Sequence, residues 1–229
     1  MPKRRGQRRE HTFAEPRELA ALPYAGYLEP FSGRLAQSGD YDTVLFDGQE
    51  FEEEDARDAR FMESAFTSVT FTGGRYRRAR FSDVWLNTVR WVGGDFTETS
   101  LADAEIIASV LAGTAMPDCR MRSVVFHRCK LDSVNLRVAA LREVSFVDCT
   151  LRDVDFAGAT LTGVAFPGSS LERVRFDKAR MTEVDLRGAT ALGIADGYDA
   201  LRGATISGLQ LMELAPAFAH LLGVTVSDD

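Results

Sequence analysis

The chain has 229 residues, 45% apolar and 27% charged, with a formal net charge of −7, a composition that suits a globular protein large enough to bury a core. No run of eighteen apolar residues occurs, which excludes a transmembrane helix. Three cysteines at unpaired spacing argue against a disulfide framework and for a reducing, cytoplasmic setting.

The charge is uneven along the chain. Residues 1–9 carry Lys3, Arg4, Arg5, Arg8 and Arg9 and no acid, so the remainder holds 22 Lys and Arg against 34 acids, a balance of −12. Residues 1–12 read as a basic, solvated tail. Glu15, Glu18 and Pro23 interrupt the apolar residues between 19 and 28, so a secretory signal is not expected. Residues 13–40 read as an N-terminal cap. A short helix is predicted over 16–22, and Tyr24, Tyr27, Leu28 and Phe31 are available to plug the near end of the core that follows.

Residues 41–206 are governed by a period of five. Every fifth residue from Phe61 to Leu186 is large and apolar, 26 positions without a miss. Independent draws would do this roughly once in a billion, so the period is real. Backward it continues through Phe51, Phe46 and Tyr41, faltering only at Ala56. Five matches neither the helical repeat of 3.6 nor the strand repeat of 2. A second regular position lies two residues before each large one. From Val124 it alternates between Val and Cys, Ala or Ser, while Phe mostly accompanies Val, and Leu or Met accompanies the smaller residue. Two inward positions and three outward fit a short strand piece followed by a turn, stacked coil on coil. A period of ten keeps each wall uniform only when the number of sides is even, which favours four. Before residue 120 the alternation is lost at Gly74, Ala79, Val84, Val89, Gly94 and Thr99, predicting a less uniform first half.

The units Val134-Asn135-Leu136, Val154-Asp155-Phe156, Ala159-Thr160-Leu161 and Val184-Asp185-Leu186-Arg187-Gly188-Ala189 resemble those of the pentapeptide-repeat proteins. The resemblance implies an all-β solenoid, a right-handed quadrilateral parallel β-helix with four fives per coil. It also implies a non-enzymatic binding protein. Family members similar to this chain bind DNA gyrase in place of DNA, and some protect it from quinolones or natural toxins.

Residues 207–229 read as a helical cap. Ser207 and Gln210 have capping-box spacing, Pro216 should kink or split the helix, and Gly223 suits its end. Leu209, Leu211, Met212, Leu214, Phe218, Leu221 and Leu222 make the segment more apolar than one coil mouth requires, so a homodimer interface is expected beside the alternative of a monomeric lid.

Catalytic and metal chemistry find little support. Cys119, Cys129 and Cys149 fall on small inward positions, with Cys129 and Cys149 expected to stack; His11, His127 and His220 are scattered. No phosphate loop, dinucleotide fingerprint or metal-ligand spacing occurs, so no cofactor, no metal and no enzymatic activity are expected.

The outward positions carry the functional signal. At a period of twenty one column reads Glu63, Asp83, Asp103, Ser123, Glu143, Gly163, Glu183. Carboxylates about 4.8 Å apart repel one another, by about 1 kcal/mol even in water. Arg80, Arg120 and Arg180 are expected to offset that repulsion. A second cluster, Glu50, Glu52, Glu53, Glu54, Asp55 and Asp58, with Asp47 nearby, surrounds a single Arg57. Glu54 falls on an inward position, so 52–60 is expected to leave the coil as a projecting loop. Trp85, Ile107, Val125, Val147 and Pro167 form an outward apolar wall, which the segment 13–37 is expected to cover.

Two functional readings result. One is an acidic rod that mimics DNA and binds a type II topoisomerase, DNA gyrase; the other is a protein-interaction scaffold without that role. Neither requires a membrane or direct contact with nucleic acid, which only the basic tail would favour. Arg77, Arg78, Arg80 and Arg90 put positive charge on the first half and weigh against the mimic.

Overall fold

The computed structural model describes residues 15–227. Short parallel strands stack in register at a spacing of twenty residues, so that Phe61 lies against Phe81 and Leu131 against Leu151. This is a quadrilateral parallel β-helix of about eight turns with one C-terminal helix. The first wall is built from strands such as Arg60–Met62, Arg80–Ser82 and Ser100–Ala102; the second from Ala65–Thr67, Trp85–Asn87 and Glu105–Ile107. The third contains Thr70–Thr72, Arg90–Val92 and Val110–Ala112. The fourth is held by single bridges, among them Asp55 to Arg75 and Arg75 to Asp95. Eight layers on the first wall give a rod of about 34 Å at strand spacing.

All 26 large positions from Phe61 to Leu186 are buried, none above 7% exposed. The predicted alternation of walls is present in the second half. Phe126, Phe146 and Phe166 stack on the second wall at centroid separations of 4.8 and 5.2 Å, and Phe156 and Phe176 stack on the fourth at 5.4 Å. In the first half, aromatic pairs occupy every wall: Phe61 with Phe81, Phe46 with Phe66, Phe71 with Trp91 and Tyr76 with Phe96. The irregular small positions answer this crowding. A Cβ on Gly74 would stand 2.9 Å from the Tyr76 ring, and one on Gly94 would stand 3.0 Å from the Phe96 ring; both glycines have φ near +90°. The rings occupy the space that valine fills further along.

Each corner turns through the residue two positions after a large one. Among the described residues, twenty-three non-glycine residues have positive φ, the corner positions Glu63, Asp83, Asp103, Ser123, Glu143 and Glu183 included. Short polar residues and glycine tolerate this left-handed region best. The geometry therefore accounts for the Asp, Ser and Gly members of the acidic column, but gives no reason for its glutamates.

The N-terminal mouth is plugged by Phe31, whose ring packs on Tyr41, Phe46 and Phe51 at 5.7, 4.6 and 5.9 Å. Tyr24 and Leu28 pack instead on the outside of the second wall, and Tyr27 is exposed. The helix predicted over 16–22 is reduced to a single 3₁₀ turn at Leu19–Ala21, and a second such turn follows outside it at Ala25–Tyr27. Pro23 is the cause: it drives Leu22 to an extended ψ of 139°.

The C-terminal helix spans Gly208–Leu221. Ser207 Oγ accepts from the Gln210 amide while Gln210 Oε1 accepts from the Ser207 amide, the capping box expected. Gly223 donates to His220 and Val224 to Ala219, a Schellman closure with Gly223 at φ +69°. Pro216 does not split the helix. It sits on an exposed face, where losing one backbone bond does not end the element.

Candidate interaction surface

The acidic column lies on the corner between the first and second walls, one residue per coil. Glu63 and Asp83 are exposed and have no ion pair among the described residues; Glu183 is in the same condition. Asp103 is held by Arg122 at 2.6 Å, and Glu143 meets Arg142 and the Ser123 hydroxyl at 3.4 Å each. Arg80, Arg120 and Arg180 do not pair with the column, contrary to the sequence expectation. They sit at the opposite edge of the first wall, three extended residues away. The column is thus continuous only over Glu63, Asp83 and Asp103, and Ser123 and Gly163 interrupt it afterwards.

The second acidic cluster is not a loop. Residues 52–60 remain in the coil: Glu50–Glu52 is a strand, Asp55 bridges Arg75, and Ala56 and Ala59 are fully buried. The inward Glu54 is tolerated because Arg34 reaches from the N-terminal segment to bond it at 2.9 Å. Asp55 is bonded by Arg57 at 2.8 Å and Arg75 at 3.1 Å, and Asp58 by Arg78 at 2.7 Å. Hydrogen bonds from Arg57 and Arg78 hold the Asp55 and Asp58 carboxyls below their ordinary range. Of the six predicted site residues, Glu50, Glu52 and Glu53 remain exposed, without an ion pair among the described residues.

The positive area of the first half is also partly neutralised. Arg78 is paired, and Arg77 lies 3.6 Å from Asp95 and 3.7 Å from Glu98. Arg60 and Arg80 stack in register, without ion pairs among the described residues, and line a surface cleft of about 260 Å³ with Ser38, Asp40, Asp58 and Arg78.

The apolar second wall is covered over its first half. Leu22 and Tyr24 pack on Ala65, Trp85 and Ile107, as expected for the N-terminal segment. Burial pushes the Tyr24 hydroxyl up to about 12, Arg17 opposing and the column acids Asp83 and Glu63 adding to the rise. Val125, Val147 and Pro167, further along, stay half-buried. The clasp of this strap was missed in the sequence. Glu105 is buried, its Oε1 accepting from the Arg17 amide at 2.8 Å and its Oε2 from Arg17 Nε at 2.7 Å. Trp85 Nε1 donates to the Arg17 carbonyl. His127, also buried, stands 3.7 Å from Glu105, and desolvation holds it below its ordinary value. A lone carboxylate in an outward column of Ala65, Trp85 and Val125 was the available signal.

Cys129 and Cys149 stack as expected, the Cys129 amide lying 3.3 Å from Cys149 Sγ; Cys119 occupies another wall, and burial pushes its thiol up to about 12. These thiols are core groups. At the C-terminal mouth, Gln210 Nε2 donates to the Leu186 and Ala189 carbonyls, and Leu214 and Phe218 pack inward. Leu209, Leu211, Met212, Leu221 and Leu222 face solvent. No helix among the described residues is long and apolar enough to cross a membrane. The basic tail, residues 1–12, and His11 lie outside the described residues.

Comparison with known proteins places the repeat. The family described as pentapeptide repeat region matches residues 101–176. Among solved structures, full-length QnrB1, a plasmid-mediated fluoroquinolone resistance protein, is 18% identical, covering 79% of this chain and 99% of its own, with a TM-score of 0.45. HetL, involved in heterocyst differentiation regulation in Nostoc sp. strain PCC 7120, is 17% identical over 76% of this chain and 91% of its own, TM-score 0.37. Rfr23 from the cyanobacterium Cyanothece 51142 is 19% identical over 43% of this chain and 63% of its own, TM-score 0.36. No curated protein sequence matches the chain. The unbroken frame of five, the four walls per coil and the family match come together on residues 101–176, a stretch that is a pentapeptide repeat region.

Proposed function

We propose that this protein is a non-enzymatic, cytoplasmic binding rod whose acidic corner engages a basic groove built to hold duplex DNA, and that the partner is DNA gyrase. One observation carries the reading. Glu63, Asp83 and Asp103 project from successive coils, two of them unpaired, although a left-handed corner gives no preference for glutamate. A partner that neutralises phosphates with Lys and Arg also accepts carboxylates arrayed along a rod, and the body charge of −12 favours encounter. Glu50, Glu52 and Glu53 add acidic surface near the N-terminal end. The resemblance to gyrase-binding family members supplies the partner's name; QnrB1, one of the similar structures, is a fluoroquinolone resistance protein. A supercoiling assay titrated with purified protein, with and without a quinolone, tests the reading. Inhibition or protection at micromolar protein supports it, and absence of both refutes it.

The exposed C-terminal face favours a second feature of the same reading, a homodimer. Leu209, Leu211, Met212, Leu221 and Leu222 are large apolar side chains at the two ends of the helix that the monomer leaves in solvent. Sedimentation equilibrium of the protein and of Met212→Glu tests it. A dimer that dissociates on substitution supports the interface, and a monomeric wild type contradicts it.

A further inference from the structure

We propose that the first wall is a self-complementary face that binds a second copy of this chain, the two rods lying side by side and pointing the same way, so that each covers the other's acidic corner. The layout of charge on that wall carries the inference. One edge holds Arg60, Arg80 and Arg180, kept in line by the strand ladder. The other edge is the acidic corner, with Glu63, Asp83 and Glu183 at the same three levels. Within each level the cation and the acid stand three extended residues apart, about 10 Å. All six are exposed and have no ion pair among the described residues. A single rod therefore leaves both edges unsatisfied.

A two-fold axis parallel to the rod exchanges the two edges and keeps every level. It sets Arg60, Arg80 and Arg180 of each copy against Glu63, Asp83 and Glu183 of the other. At every other level at least one of the two edge residues is uncharged, as in Ser100 with Asp103 and Arg120 with Ser123. Rods running in opposite directions would bring arginine edge onto arginine edge. The cleft of about 260 Å³ lies at the arginine edge and receives the projecting carboxylates; its Asp58 is already held by Arg78 at 2.7 Å, which leaves Asp40 as the opposing charge. Between the edges Met62, Ser82 and Ala102 form an uncharged strip, with Met62 44% exposed. Arg122 and Arg142, further along, face their own images, but Asp103 and Glu143 engage them. The wall buries on the order of 1,000 Å² in the two copies together, at the low end for specific complexes, so the contact is weak and salt-sensitive. It does not depend on the identity of any other partner.

Sedimentation equilibrium of the full chain carrying Met212→Glu, at high micromolar concentration and low salt, tests the proposal with the C-terminal helix contact removed. Two further variants are made in that background: Arg60→Glu with Arg80→Glu, and Glu63→Arg with Asp83→Arg. Arginine already occupies the corner conformation at Arg78 and Arg173, with φ of +57° and +51°, so the second variant keeps the coil. Each variant alone is expected to associate about tenfold more weakly than its parent. Their equimolar mixture is expected to recover a heterodimer, which about 0.5 M salt weakens severalfold. Arg90→Glu with Lys130→Glu, on the third wall, changes the net charge equally and should leave association unaltered. A monomeric parent, a mixture as monomeric as its parts, or equal weakening by the third-wall variant overturns the proposal.

Discussion

Arg17 holds Glu105 through two atoms, its amide on Oε1 and its Nε on Oε2, and this clasp fixes the N-terminal strap to a wall 88 residues away in sequence. The carboxylate is buried, whereas the Arg17 side chain is half-exposed. Removing the arginine strands a desolvated charge, while removing both partners does not. Arg17→Ala is expected to destabilise the protein by about 1–3 kcal/mol, and Arg17→Ala with Glu105→Val by less than Arg17→Ala alone. Denaturant titration followed by the fluorescence of Trp85, which bonds the Arg17 carbonyl, measures both.

The same site predicts a pH dependence. His127 is held below 6.5 by burial, with Arg128 acting in the same direction and Glu105, Glu15 and Asp148 opposing. Between 6.5 and the depressed folded value the unfolded chain takes up a proton that the fold does not. Stability is therefore complete above 6.5 and falls as pH drops toward the folded value. His127→Asn should shrink the stability difference between pH 7.5 and pH 5.5. An unchanged difference would mean that carboxylates alone set the slope.

Gly94 is required by packing and by backbone together. At φ +89° a Cβ would stand 2.8 Å from the Gly73 carbonyl and 3.0 Å from the Phe96 ring. Gly94→Ala is expected to cost about 1–3 kcal/mol. Gly113, also at positive φ but with nothing within 4 Å, should cost less on the same substitution. Thermal unfolding of the two variants compares them directly. In the uniform half, Phe146→Ala removes the middle ring of the Phe126–Phe146–Phe166 stack and should cost about 3–5 kcal/mol.

Gln210 closes the C-terminal mouth by bonding two carbonyls of the last coil while completing the helix cap. Gln210→Ala leaves both sets of groups unmet and should loosen the helix, exposing a strand edge. Light scattering of the variant should show concentration-dependent association beyond any wild-type oligomer. An unchanged mass would mean that Leu214 and Phe218 suffice as a lid.

The repeat was legible in the sequence because each coil obeys one local rule, a large residue every fifth position, and all 26 of those side chains from Phe61 to Leu186 are buried. The acidic column was legible in position but not in pairing. Asp103 is met by Arg122 of the next coil, 19 residues on, rather than by the arginines at the far edge of its wall. Residues 52–60 were misread because Glu54 on an inward position suggested a broken coil, whereas Arg34 supplies its counter-charge from outside the repeat. The Arg17–Glu105 clasp was invisible for the same reason: a non-repeating segment obeys no period, so where it folds back cannot be read from the frame.

The central claim is that the corner of Glu63, Asp83 and Asp103 takes the place of DNA on gyrase. Competition of the purified rod with a labelled duplex for purified gyrase, measured at equilibrium by fluorescence anisotropy, tests it most directly. The account predicts displacement of the duplex at micromolar rod, weakened by added salt and lost in Glu63→Lys, Asp83→Lys, Asp103→Lys with an unchanged circular dichroism spectrum. Duplex binding unaffected by the rod, or displaced equally by the charge-reversed rod, would contradict it.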